Sequence, residues 1–146
     1  MLQRRRVLGV AVLVCVFASL ALADQPNMRA ARTNLQQARA QLQYAANNKA
    51  GHRVKAIEYV NRAIGYVNNG IAFDRRNNHA QRVTGDLFAV AAVPDQPHMQ
   101  RALDLLRQAK TNLERATSDK GGWRQKAIGA VNDAIDETKK GIDAGE

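Results

Sequence analysis

The residues able to do chemistry in this chain gather in one short string that occurs twice. Lys49-Ala-Gly-His-Arg-Val-Lys-Ala-Ile57 and Lys120-Gly-Gly-Trp-Arg-Gln-Lys-Ala-Ile128 carry Lys, Gly, Arg, Lys, Ala and Ile at the same places. Cations set around a glycine turn that opens a helix suit an anionic contact, because the free N–H groups of a helix start also favour negative charge. Lys49, Arg53 and Lys55, with their copies Lys120, Arg124 and Lys126, are therefore the candidate contact for an anion or a partner. Polyphosphate, a lipid headgroup, lipopolysaccharide or an acidic protein would each answer that description. A second reading is open for the arginines. They stand four residues before Ile57 and Ile128, in step with the apolar spacing, and could close the end of a bundle by bonding the last carbonyls of the preceding helix.

Other chemistries lack their parts. The single cysteine, Cys15, falls in a leader segment, and Ser118 is the one serine beyond that leader, so no nucleophile with a nearby base is in view. Carboxylate–histidine metal sites in helical bundles need inward Glu and Glu-x-x-His residues, and no Glu-x-x-His occurs. Cys-x-x-Cys-His, which would attach haem, is absent. Met28, Met99 and His98 lie near helix starts, but both methionines fall on apolar seams and read as core filler. No metal, no cofactor and no enzymatic activity are expected. His52, His79 and His98 lie in or beside turns and read as solvent-exposed. Trp123 is expected to pack over the end of the first arm of its own hairpin. Asn61 and Asn132, the same amide beside the seam in both copies, suggest an interhelical hydrogen bond.

The elements that must hold these residues also occur twice. Shifted by 71 positions, Asp24–Ile71 lies over Asp95–Ile142 without a gap and is identical at 22 of 48 positions. A unit that repeats in tandem buries its apolar face against its copy. In the first arm, Met28, Ala31, Leu35, Ala38, Leu42 and Ala45 recur at spacings of 3 and 4, the seam of a helix packed along its length; Met99, Ala102, Leu106, Ala109, Leu113 and Ala116 repeat it. Large and small side chains alternate strictly, which lets helices approach closely. The second arms read Ile57, Val60, Ile64, Val67, Ile71 and Ile128, Val131, Ile135, Thr138, Ile142. Pro26 and Pro97 suit first helical turns, with Asp24 and Asp95 just upstream, and Gly51 and Gly121-Gly122 break the arms. Each repeat is a helical hairpin. Two hairpins give an all-α, pseudo-two-fold four-helix bundle, as a monomer or a homodimer. The spacing leaves open whether the two hairpin turns share one end.

Residues 1–23 read as a leader. Three consecutive arginines precede the apolar Val7–Leu22, and Ala21-Leu22-Ala23 offers small residues at the cleavage positions. The expectation is cleavage after Ala23, a periplasmic or secreted product, and no transmembrane segment in the mature chain. That mature chain, 24–146, is one domain: repeat one at 24–71, a linker at 72–94 and repeat two at 95–142. In the linker, Phe73–His79 reads as a loop or frayed helix end, and the apolar run Leu87–Val93 as ordered and packed. Nineteen Lys and Arg against thirteen Asp and Glu leave a charge of +6. This favours anionic surfaces weakly, and nucleic acid is not expected as a partner.

The string Lys-x-Gly-[His/Trp]-Arg-x-Lys-Ala-Ile, within a unit opening Gln-Pro-x-Met and ending Gly-Ile, resembles the signature of a family of small exported bacterial helical-hairpin proteins. The resemblance covers Asp24–Ile142 apart from the linker. It implies export and the hairpin fold and nothing catalytic. The expected function is a non-enzymatic binding or scaffolding module of the cell envelope; the alternative is a periplasmic small-ligand or metal carrier in envelope stress.

Overall fold

The computed structural model describes residues 24–45, 49–77, 95–116 and 121–145. Four helices account for nearly all of them: α1 (Asp24–Tyr44), α2 (His52–Asn77), α3 (Asp95–Arg115) and α4 (Trp123–Asp143), with a 3-10 turn at Lys49–Gly51 before α2. Prolines at the third position of α1 and α3 fall where a helix has N–H groups to spare. Among the described residues, α1 packs on α2 and α3, and α4 on α2 and α3, while the diagonal pairs do not meet. The molecule is an all-α four-helix bundle.

The most extensive packing is between copies, α1 on α3 and α2 on α4. Both pairs run antiparallel. Asn27, at the start of α1, donates from Nδ2 to the carbonyl of Arg115 at the end of α3, and His98, at the start of α3, bonds Gln41 near the end of α1. His52, opening α2, bonds Glu137 late in α4, while Trp123, opening α4, stacks on Tyr66 of α2. Every neighbouring pair is therefore antiparallel. The two hairpin turns lie at opposite ends, as do the end of α2 and the start of α3.

The alternation of large and small residues explains this packing. Met28, Leu35, Leu42, Met99, Leu106 and Leu113 are fully buried, and Ala31, Ala38, Ala102 and Ala109 between them leave room for the facing helix. In the second arms Val60, Val67, Val131 and Thr138 are the buried layer, while Ile57, Ile64 and Ile128 lie partly exposed beside it. Thr138, a hydroxyl in the core, donates to the carbonyl of Ala134 at 2.7 Å and so leaves no unpaired donor. α2 does not stop at Ile71. It continues to Asn77, with Asp74 buried and the Phe73 ring lying over the turn at Gly121, so the polar start of the expected linker is helical. The apolar run Leu87–Val93 lies outside the described residues.

Candidate functional site

Each hairpin turn is built from two successive residues in the left-handed region: Ala50 and Gly51 (φ 54° and 86°), then Gly121 and Gly122 (φ 66° and 83°). That conformation reverses the chain within two residues and sets the helix start one residue later. Arg53 and Arg124, two residues beyond, turn back into the bundle. Nη1 of Arg53 donates to the carbonyl of Leu42, and Nη1 of Arg124 to that of Leu113, both at 3.3 Å. These carbonyls belong to the last turn of the preceding helix, beyond its regular donors four residues on; that of Leu113 also accepts from the Ala116 N–H at 3.3 Å. In both copies Nε is also buried without a partner. The arginines tie hairpin ends together.

The lysines behave differently. Lys55 and Lys126 are exposed, and the Lys126 ammonium lies 4.6 Å above the Trp123 ring. Lys49 opens the 3-10 turn, but its side chain lies outside the described residues, as does all of Lys120. The described candidates lie at opposite ends of the bundle, Lys49, Arg53 and Lys55 at one and Arg124 and Lys126 at the other.

The α2/α4 pairing has more chemistry than the turns. The carboxylate of Glu137 accepts from His52 Nδ1 at 2.8 Å and from Lys140 Nζ at 2.9 Å. Those two hydrogen bonds, from His52 first and Lys140 second, hold the Glu137 carboxyl down to about 2. The same bond to Glu137 raises Lys140 above its ordinary value. Under the 71-residue shift His52 corresponds to Trp123 and Glu137 to Tyr66. The equivalent place at the other end therefore holds two rings, 6.1 Å between centroids. One position pair is ionic and its copy is aromatic.

Several expectations change here. His98 is buried, its Nδ1 bonded to Gln41 Oε1 at 2.6 Å with the Tyr44 ring 5.9 Å away, and His52 is half-buried on Glu137. Neither is a solvated turn histidine, because each stands where the antiparallel partner helix brings a polar group opposite; His79 lies outside the described residues. The Trp123 ring meets Tyr66 of the other hairpin, a contact that the expected packing over its own first arm did not include. Asn61 does make an interhelical bond, accepting at Oδ1 from Arg39 Nη1 at 3.3 Å, but on the exposed rim of α1 and α2. The sequence reading also missed that His52, Tyr59, Tyr66 and Phe73 follow one another at intervals of seven along α2. That spacing was the available signal for a second stripe beside the seam.

Among the described residues, no three of His, Cys, Asp and Glu come together as a metal-binding group, and no helix is long and apolar enough to cross a membrane. An open recess of about 320 Å³ lies along α3, lined by Arg107, Gln108, Thr111, Asn112 and Arg115. Comparison with protein-family models, curated proteins and solved structures finds no match.

Proposed function

We propose that the chain is exported and serves, without chemistry of its own, as a binding or scaffolding module of the cell envelope that contacts an anionic component. The supporting observation is the division of labour within the repeated string. Arg53 and Arg124 are spent on helix carbonyls, whereas Lys55 and Lys126 are held exposed at equivalent places. A lysine retained twice, outside the core and without a described ion-pair partner, is available to a negative group. The leader at residues 1–23 and the family resemblance support the compartment.

The test uses the chain from Asp24 onward, which contains every described residue. Replacing Lys49, Lys55, Lys120 and Lys126 together with Gln should abolish binding to anionic vesicles or polyphosphate and leave the helical spectrum unchanged, since exposed lysines add little stability. Binding by the unaltered protein should fall steeply with salt, because exposed charges are screened over about 8–10 Å at near-physiological ionic strength. Equal binding by both proteins would assign these lysines to solvation alone.

A further inference from the structure

We propose that the α2/α4 face is a docking surface for an anionic lipid bilayer, with headgroup phosphates as the groups bound. The inference rests on the anion-binding reading above and gives it a surface and a partner. It begins with helical register. On α2, His52, Tyr59, Tyr66 and Phe73 border α4, as the His52–Glu137 and Tyr66–Trp123 contacts show. Three residues beyond the first, second and fourth of them come Lys55, Arg62 and Arg76, all exposed. On α4 the bordering residues are Trp123, Ala130 and Glu137, and three residues beyond come Lys126, Asp133 and Lys140, also exposed. Five cations thus flank a ribbon of rings, against Asp133, Asp136 beside Lys140, Glu58 one turn before Arg62, and a Glu137 already bonded to His52 and Lys140. Lys55 and Arg76 are 21 residues apart, about 30 Å along the helix.

The rings decide the partner. The Arg62 guanidinium lies 5.2 Å above Tyr59, and Lys126 covers Trp123. Sugars and bases are recognised by stacking on open ring faces, and here a cation already lies over Tyr59 and another over Trp123. A protein partner calls for an exposed apolar centre, and among the described residues the only large apolar side chain exposed on this face is Phe73, at one end. What remains is a row of cations, two of them steadied on aromatic rings. A bilayer meets it well, because headgroups diffuse laterally to any spacing, and Tyr, Trp, Lys and Arg are the residues suited to its interface. Charge points the same way. Residues 24–77 carry nine Lys and Arg against three Asp and Glu, whereas 95–145 carry nine against eight. The excess sits with the hairpin that contains α2.

Trp123 is the only tryptophan, so the unaltered chain carries its own reporter on this face. With vesicles of three parts phosphatidylcholine to one part phosphatidylglycerol, its emission should shift to the blue and become shielded from acrylamide. Pure phosphatidylcholine, or high salt, should leave it as in buffer. In co-sedimentation, K55Q/R62Q/K126Q should weaken partitioning about 100-fold, at roughly fivefold per basic residue near an anionic surface. R101Q/R107Q/K110Q removes as much charge from α3 and should stay within a few-fold of the unaltered protein. Equal losses from the two variants, or co-sedimentation that leaves Trp123 unshielded, would overturn the assignment of this face. Binding to polyphosphate but not to vesicles would overturn the bilayer while the anion-binding reading stands. Binding to neither would remove both. The Trp123 measurement needs no substitution and holds whatever the variants do to the fold.

Discussion

At the scale of single residues, the two turns show how a pair of copies diverges without losing its fold. Gly121 sits under Phe73, and a Cβ built there would come within 3.0 Å of the ring. The corresponding residues at the other end are Ala50 and Ala144, so the large-over-none pair has become small-over-small. Ala50 nonetheless keeps a left-handed φ of 54°, which costs a residue with a Cβ about 1–2 kcal/mol. Gly121→Ala should therefore lower stability by about 1–3 kcal/mol, combining that strain with displacement of the Phe73 ring. Ala50→Gly should raise it by about 0.5–1 kcal/mol, the relief being partly offset by the freer unfolded chain. Opposite shifts of the thermal midpoint are the expected result, and shifts of the same sign would refute this account of the turns. Little of this was legible beforehand. The string shows a glycine turn, but Phe73 reads as part of a polar linker until α2 is seen to continue beneath turn two.

At the scale of helices, the seam was legible and the pairing was not. Alternating large and small residues at spacings of 3 and 4 name the buried stripe of the two first arms, since burial of apolar area is a local property of the pattern. In the second arms the series is right at Val60, Val67, Val131 and Thr138, but Ile57, Ile64 and Ile128 lie at its edge and Ala56, Ala63, Ala127 and Ala134 take their place in the core. Which stripe meets which is not local. Gln41 with His98, and His52 with Glu137, become partners only once like helices pack antiparallel, and neither pair is close in sequence. The latter pair has a consequence in acid. Glu137 is held at about 2, below its ordinary 4.5, so the stability it supplies is fully present above pH 4.5 and is lost as pH falls toward 2. Glu137→Gln removes that titration. The thermal midpoint of the unaltered protein should fall across this window by more than that of E137Q, and parallel curves would show that His52 and Lys140 do not favour the ionised carboxylate.

At the scale of the molecule, near-identical hairpins raise the question of why each packs on the other and not on its own kind. The end residues answer it. A pair of first hairpins would set His52 against Tyr66 and Phe73 against Ala50; a pair of second hairpins would set Trp123 against Glu137, leaving that carboxylate without its histidine. Charge adds to this, because first hairpins carry nearly all of the net charge and would repel one another. Specificity here lies in penalties on the wrong pairing as much as in contacts of the right one. The triple variant A50G/Y66E/W123H brings the two ends closer to equivalence: His and Glu at corresponding places in both hairpins, with glycine in both turns. Like-with-like pairing between two chains then satisfies every His–Glu pair, and it is opposed by charge repulsion and by the high effective concentration of pairing within one chain. Refolded at high concentration, the variant should yield a larger dimer fraction than the unaltered protein. That fraction should grow with salt, which screens the repulsion within about 10 Å at 0.1 M. Light scattering reads both trends. A variant whose mass matches the unaltered protein at every salt concentration would place the pairing code in the alternating seam and not in its ends.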